Sequence, residues 1–257
     1  IKSSTALSVA TNGNLKTAYG SNLLSDNQLL VSALGNIDNG GSTRAKNTSI
    51  AFSGSSLKVT GNIHGTDNLV IQSVKDRALS SGEISNSGTL KGGNVTIQTN
   101  GTLALNRDSK ILASNMLTTN SNWLNNDGGT VRGDSAVLNF NNNAMQNSGE
   151  IIGGTINIST HSDLVNKWLM ESFGDFTIDT HNKGNIINRD KIVAGGTMTL
   201  NAKQVVNGGY KCGFLKLFTC DAGLLSGNKL VLNTSQRYAS EVGGEQYFKL
   251  TEVNTTK

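Results

Sequence analysis

The sequence predicts an all-β protein, a parallel β-helix of about ten coils with roughly 20 residues in each coil. Short alternating apolar segments recur at a nearly constant spacing, and the composition between them is that of turns. The 257-residue chain contains 30 Gly, 33 Asn and no Pro, and only 5% of its residues are aromatic. Turn formers without proline favour many short strands whose backbone N–H groups are all used in ladders.

The alternating segments follow one period along the chain. They begin near Asn27, Asn47, Asn68, Asn94, Asn115, Ser135, Thr155, Asp175, Thr197 and Lys229. Successive starts are 20, 21, 26, 21, 20, 20, 20, 22 and 32 residues apart, so the longer steps predict insertions. A second series with the same period comprises Asn86, Asn106, Asn126, Asn147, Asn166, Asn188 and Asn207. Two series that share a period indicate a repeat architecture.

The length of the repeat selects the class of solenoid. Propeller blades need about 40 residues each, and the dense leucine pattern of leucine-rich repeats is missing. A β-helix remains, in which each repeat is one coil and parallel strands stack at about 4.8 Å.

Within each strand, alternate side chains should point into the coil. The inward residues predicted from this alternation are Val95, Ile97, Ile156, Ile158, Phe176, Ile178, Met198, Leu200, Leu230 and Leu232. The outward residues are Thr96, Asn157, Thr177, Thr199 and Val231.

The NSG and GG elements are predicted to be corners, where Gly permits a positive φ and Asn tolerates it. Two interpretations of the recurrent Asn stay open at this point. The Asn side chains stack from coil to coil and bond one another, as in the amide ladders of cross-β stacks, or they mark exposed turns.

The units NSGTLKGGNVTIQT at 86–99, NSGEIIGGTINIST at 147–160 and the related unit at 188–202 resemble filamentous haemagglutinin repeats. Such repeats occur in large exoproteins of two-partner secretion, including haemagglutinin adhesins and the CdiA-type effectors of contact-dependent growth inhibition. The resemblance covers roughly 20–235 and implies a right-handed parallel β-helix. It also implies export through an outer-membrane two-partner secretion transporter and display at a bacterial cell surface. The secretion motif NPNG is absent, so we expect an internal segment.

The chain differs from a monotonous stalk in its degenerate units, its aromatic insertions and a cysteine-flanked excursion. These departures resemble the receptor-binding region of a CdiA-type effector. That resemblance implies recognition of an outer-membrane protein or lipopolysaccharide on a target bacterium, so that a C-terminal toxin outside this chain is delivered. The alternative is a structural stalk or a host-adhesion segment of a filamentous haemagglutinin-like adhesin.

The excursion GGYKCGFLKLFTCDAG, 208–223, fills the step of 32 residues. Because the resemblance implies export, Cys212 and Cys220 are expected to form a disulfide. Insertions in solenoids often lie on the binding face. The candidate receptor contacts in this loop are Lys211, Phe214, Leu215, Lys216, Leu217 and Phe218. Alternatively, the loop folds back and packs its Phe side chains against the coils.

Trp168 and Phe173, in NKWLMESFGDF at 166–176, are further candidate receptor contacts. The favoured interpretation of that stretch is a short helical turn covering the solenoid. Trp123 is expected to fill a corner, and DRALSSG at 76–82 to form a solvated loop.

The solenoid is expected to span 1–234, after which the pattern dissolves. The segment 235–257 is expected either to cap the open end of the solenoid or to begin a different module.

An enzyme is not expected, because polysaccharide-cleaving β-helices need paired carboxylates on one face. The carboxylates Asp163, Asp175, Asp179, Asp190 and Asp221 lie at different phases of the repeat. His161 and His181 are 20 residues apart and are predicted to stack, but two His alone make a poor metal site. We expect no cofactor and no metal. The net charge of +4 is scattered without a Lys/Arg block, so we expect no nucleic-acid partner. We expect a monomer.

Overall fold

The computed structural model describes residues 1–141, 144–208, 210–212, 218–220, 223–235, 239–240 and 245–255. At 210–212, 218–220, 239–240, 245–251 and 255 it describes the backbone alone. Within these ranges the protein has no helix and forms a parallel β-solenoid of about 11 turns with a spacing of about 21 residues. The predicted fold class is therefore confirmed. The chain divides into two compact units, Ile1–Asp134 and Ser135–Lys257, called unit 1 and unit 2 below.

The strands that begin in unit 1 are short, and the last of them continues beyond Asp134. They are β1 (Lys2–Ser3), β2 (Ala6–Thr11), β3 (Leu15–Thr17), β4 (Asn22–Ser25), β5 (Gln28–Ala33), β6 (Ile37–Asn39), β7 (Ser42–Phe52), β8 (Ser56–Val59), β9 (Asn62–Lys75), β10 (Ala78–Leu79), β11 (Glu83–Asn86), β12 (Thr89–Gln98), β13 (Thr102–Leu105), β14 (Lys110–Ala113), β15 (Met116–Ser121), β16 (Trp123–Asn126) and β17 (Thr130–Phe140).

Each turn of unit 1 contributes one strand segment to each of three faces. The first face stacks β1, β4, the first parts of β7, β9 and β12, then β14 and the start of β17. The second face stacks β2, β5, the later parts of β7, β9 and β12, and β15. The third face stacks β3, β6, β8, β11, β13 and β16. All of these pairings are parallel, because each strand pairs with its equivalent in the next turn.

Unit 2 repeats the same arrangement of three faces. Its strands are β18 (Met145–Asn147), β19 (Glu150–Thr160), β20 (Leu164–Asn166), β21 (Leu169–Ser172), β22 (Phe176–Asp179), β23 (Asn185–Asn188), β24 (Lys191–Ala194), β25 (Thr197–Ala202), β26 (Gln204–Asn207), β27 (Tyr210–Cys212), β28 (Phe218–Cys220), β29 (Leu224–Thr234), β30 (Ala239–Ser240) and β31 (Glu245–Thr255). The start of β19, β21, β24 and the start of β29 form its first face.

The core of each unit is a set of aliphatic and aromatic stacks that run from turn to turn. All ten side chains predicted to point inward are at most 1% exposed, whereas none of the five predicted to point outward is buried. In unit 2, Phe176 pairs with Ile156 on one side and Met198 on the other, and all three are fully buried. Burying a side chain of this size stabilises the fold by about 1.5–3 kcal/mol.

The NSG and GG elements do lie at corners, but positive φ is not why glycine is needed there. Among the described residues, the glycines with positive φ are Gly20, Gly128 and Gly208. A Cβ on Gly88 would lie 1.9 Å from the carbonyl oxygen of Gly61 in the turn before it. Glycine is required because stacked corners bring backbone against backbone.

The recurrent Asn forms an amide ladder on the third face of unit 2. Nδ2 of Asn147 donates to Oδ1 of Asn166 at 2.9 Å, Asn166 donates to Asn188 at 2.8 Å, and Asn188 donates to Asn207 at 2.8 Å. All four side chains are 0% exposed. The ladder interpretation is confirmed here, and buried amides without such partners would be costly.

In unit 1 the same row is interrupted by apolar residues. Leu105 pairs in register with Asn86 and with Asn126, so Asn106 lies one residue outside the row. The buried Asn86 and Asn126 use backbone partners instead: Asn86 donates to the carbonyl of Lys110, and Asn126 accepts from the N–H of Gly129. The prediction for Asn106 was therefore wrong.

Two expected irregularities have a different structure. The stretch 166–176 is an ordinary turn built from β20, β21 and β22, so the predicted helical turn is wrong. The residues 76–82 are a hairpin extension and not a free loop. In this hairpin β10 pairs antiparallel with the end of β9 around Asp76 and Arg77, whose φ angles are 51° and 65°.

Trp123 begins β16 and is half-buried beside a corner. In the segment 235–257, β30 and β31 pair in parallel with β26 and β29, so this segment adds a further turn of backbone. Its role as a cap or as the start of another module stays a prediction.

Candidate recognition surface

The first face of unit 2 is bordered by two exposed aromatic side chains in the same turn. Trp168 lies at the corner before β21 and is 53% exposed, and Phe173 lies at the corner after β21 and is 62% exposed. Between them Met170 is fully buried, which fixes the position of the strand, while Leu169 and Glu171 point outward and are half-buried.

Neighbouring strands extend this surface with further outward aliphatic side chains. Ile152 of β19 and Val193 of β24 pair in register with Glu171 on either side, and both are half-buried. We call Ile152, Trp168, Leu169, Phe173 and Val193 the aromatic-edged surface. Single exposed apolar residues are ordinary, but a contiguous apolar group with aromatic borders is typical of an interface.

The excursion 208–223 leaves unit 2 at the same corner row that holds Trp168, two turns further along. Equivalent corners contain Lys167 and Trp168 between β20 and β21, and Arg189 and Asp190 between β23 and β24. Two stacking steps separate the excursion from Trp168 along the solenoid, or about 10 Å. The structure therefore places the base of the excursion and Trp168 along one edge of the first face.

The base of the excursion is fixed by backbone and amide bonds. The N–H of Gly208 donates to the carbonyl of Asn188 at 3.1 Å, and Nδ2 of Asn188 donates to the carbonyl of Leu224 at 3.0 Å. Gly223 packs so closely that an added Cβ would lie 2.5 Å from the nitrogen of Gly208. The ladder residue Asn188 thus also closes the neck of the insertion.

Within the excursion, β27 and β28 form an antiparallel hairpin. Tyr210 pairs with Cys220, and Cys212 pairs with Phe218, so the two cysteines are diagonal and not opposite. Diagonal Cβ atoms are about 7–8 Å apart, whereas a disulfide needs about 3.5–4.5 Å. The predicted disulfide receives no support from this register.

The predicted contacts in the excursion cannot be placed further. Phe214, Leu215, Lys216 and Leu217 lie outside the described residues, as do the side chains of Lys211, Phe218, Cys212 and Cys220.

His161 and His181 stack in adjacent turns, as the sequence predicted, with ring centroids 4.3 Å apart and an interplanar angle of 17°. Nε2 of His181 lies 2.9 Å from Oγ of Ser159, and Nδ1 lies 3.8 Å from a carboxylate oxygen of Asp179. A serine nucleophile needs a histidine held by a direct hydrogen bond to the acid, and 3.8 Å is too long for one. This trio therefore does not have the geometry of a catalytic triad.

The other carboxylates suspected from the sequence hold turns together. Oδ1 of Asp163 accepts from the N–H of Asn185 at 2.7 Å, and Oδ1 of Asp175 accepts from the N–H of Thr197 at 2.8 Å. Across the described part of the chain, no group of three or more His, Cys, Asp or Glu side chains could hold a metal ion.

Sequence reasoning identified Trp168 and Phe173 but missed Ile152, Leu169 and Val193. The available signal was an aliphatic residue in the outward phase of a strand, next to the inward Ile151, Met170 and Ile192.

Comparison of the chain with protein-family models, with curated proteins and with solved structures finds no match. Among the described residues there is no helix of the length and apolarity needed to span a membrane.

Proposed function

We propose that the chain is a receptor-recognition segment of a large secreted exoprotein of the filamentous haemagglutinin-repeat type. In this proposal, a two-partner transporter exports the exoprotein to the bacterial surface. The segment then binds an outer-membrane protein or lipopolysaccharide of a target bacterium, so that a toxin outside this chain is delivered. The repeat resemblance suggests the family, and the exposure of Trp168 and Phe173 around one rigid strand is the observation that carries the proposal.

The physical argument concerns the cost of holding these side chains in water. A structural stalk needs only inward residues and corners, yet this turn exposes two large aromatic rings on either side of β21. Because the backbone below them is fixed by a buried strand, the rings lose little conformational freedom on binding. Rigid aromatic side chains at the centre of an interface commonly supply most of its binding free energy.

A stalk or host-adhesion segment is the second candidate, and the second face of unit 1 favours it. From Gln28 to Asn120 its outward side chains are uncharged, among them Ser49, Thr96 and Thr118, as expected of a plain repeat.

The test is binding of the purified 257-residue chain to whole Gram-negative cells, including envelope mutants that lack single porins or the lipopolysaccharide outer core. We expect saturable binding that is lost in one envelope mutant and reduced about tenfold or more by Trp168→Ala with Phe173→Ala.

The matched control is Tyr19→Ala with Met116→Ala, which removes two large exposed side chains from unit 1, 98% and 48% exposed. Equal binding by both double variants would move the contact away from the aromatic-edged surface. Absence of binding to every strain would favour the stalk.

A further inference from the structure

Four cationic side chains form a straight row on the first face of unit 1. Lys2 pairs in register with Leu24, which pairs with Arg44, and Arg44 pairs with His64. The same row continues from His64 to Lys91, Leu112 and Arg132. We call Lys2, Arg44, Lys91 and Arg132 the cationic row; all four are exposed.

The register fixes the spacing of these charges. The row carries a cation in every second turn, because Leu24, His64 and Leu112 occupy the turns between. Parallel strands stack at about 4.8 Å, so successive cations recur about every 10 Å along the solenoid.

The cations of the row are available to a ligand. Throughout Ile1–Asp134, all of which the structure describes, no member of the row forms an ion pair, while Lys46 at the adjacent corner pairs with Asp67 at 3.6 Å. A groove of about 320 Å³, lined in part by Lys2, Arg44 and Lys46, borders the row. Three carboxylates lie at the same corner, those of Asp26, Asp67 and Asp134, so an anion must lie over the strands and not over the corner.

His64 reports the positive potential of the row. Burial lowers the pKa of His64, and the neighbouring charges of Arg44 on β7 and Lys91 on β12 lower it further. An anion bound between these two cations would reverse the second effect.

A second row on the same face carries hydrogen-bonding groups. Two residues before the cationic row along each strand, it consists of Asn22, Ser42, Asn62, Thr89, Lys110 and Thr130. Two residues of strand span about 7 Å, so these amides and hydroxyls lie beside the cations and not among them.

We propose that the first face of unit 1 binds a linear acidic polysaccharide that lies along the solenoid axis. The acidic groups of the glycan rest on the cationic row, and its hydroxyl groups rest on the polar row. A glycan with one acidic group in each disaccharide repeats its charge at about the interval of the cationic row.

The chemistry of the face favours a glycan over a nucleic acid. Single-stranded nucleic acid needs aromatic side chains on which bases stack. The outward side chains of this face, from Asn22 to Arg132, include no Phe, Tyr or Trp. The phosphates of one strand also recur at about 3.4 Å, far more closely than the cations of the row. This proposal is independent of the receptor-recognition surface on unit 2.

The test uses the 257-residue chain and a hyaluronan octasaccharide, which has one carboxylate in each disaccharide. We expect saturable binding that weakens with added salt and falls about tenfold in Arg44→Gln with Lys91→Gln. The matched control is Lys16→Gln with Lys58→Gln, which removes the same charge from the third face and should bind as the wild type does. Maltooctaose, which is uncharged, should not bind.

Proton NMR provides an independent readout. Adding the hyaluronan octasaccharide should raise the pKa of His64, while the ring signals of His161 and His181 on unit 2 stay in place at constant pH. Equal losses in the two double variants would overturn the proposal. It would also be overturned by an unmoved His64 titration, or by an oligothymidylate of the same net charge that binds as tightly.

Discussion

Removing one rung of the buried amide ladder tests the physical account of unit 2. Asn166 is 0% exposed, accepts from Nδ2 of Asn147 at 2.9 Å and donates to Oδ1 of Asn188 at 2.8 Å. Asn166→Ala leaves a donor and an acceptor without that partner in the core. Each such group costs about 1–3 kcal/mol, so the free energy of unfolding should fall by about 3 kcal/mol or more.

The assay is urea denaturation followed by far-ultraviolet circular dichroism. With a denaturant slope of about 2–3 kcal/mol/M, the transition midpoint should fall by about 1 M or more. Asn157→Ala removes the same side chain from the exposed second face of unit 2, and its midpoint should stay within the range of neutral surface changes.

A double variant, Asn166→Ala with Asn188→Ala, distinguishes a ladder from two separate amides. Because the two side chains bond each other, their effects should add to less than the sum of the single changes. Strict additivity, or a midpoint for Asn166→Ala equal to that of Asn157→Ala, would refute the ladder as a source of stability.

Two further predictions concern the core of unit 2 and the charge on unit 1. Ile158, 1% exposed, pairs with Ile178, so Ile158→Lys places an unpaired charge in the core and should cost several kcal/mol, seen as loss of the cooperative circular dichroism transition. Asn157→Lys, one residue away on the exposed side, is its control, and an equal loss there would contradict the assigned phase. Because burial, Arg44 and Lys91 lower the pKa of His64 and a bound polyanion raises it, protonation of His64 and glycan binding favour each other. Affinity for the hyaluronan octasaccharide, measured by calorimetry, should therefore rise as the pH falls below about 6.5. His64→Gln should flatten that rise, and an unchanged pH profile in this variant would remove His64 from the site.

The period, the inward phase and the corners could be predicted from the sequence because each depends on local geometry. A strand alternates its side chains with a period of two, so the inward position of Val95 or Leu230 follows from its neighbours alone. The turn at 166–176 was misread for the same reason. Its dense apolar residues Trp168, Leu169 and Met170 suggested a helix, but Met170 belongs to the regular inward stack and the corner leaves Trp168 in solvent.

Which residues of different turns lie side by side depends on register, and a shift of one residue moves a side chain to the other face. The sequence series included Asn106, whereas the backbone pairing places Leu105 in the buried row. The sequence also gave no reason to group Lys2, Arg44, Lys91 and Arg132, which are separated by insertions of different length.

The sequence by itself determined a parallel β-solenoid, its repeat and its core, because these follow from periodicity and from the chemistry of turns. Only the tertiary structure decided which side chains stack and which surfaces result. The ladder through Asn166, the aromatic-edged surface and the cationic row are each assembled from turns about 20 residues apart, and stacking at about 4.8 Å makes neighbours of residues that are distant in the chain.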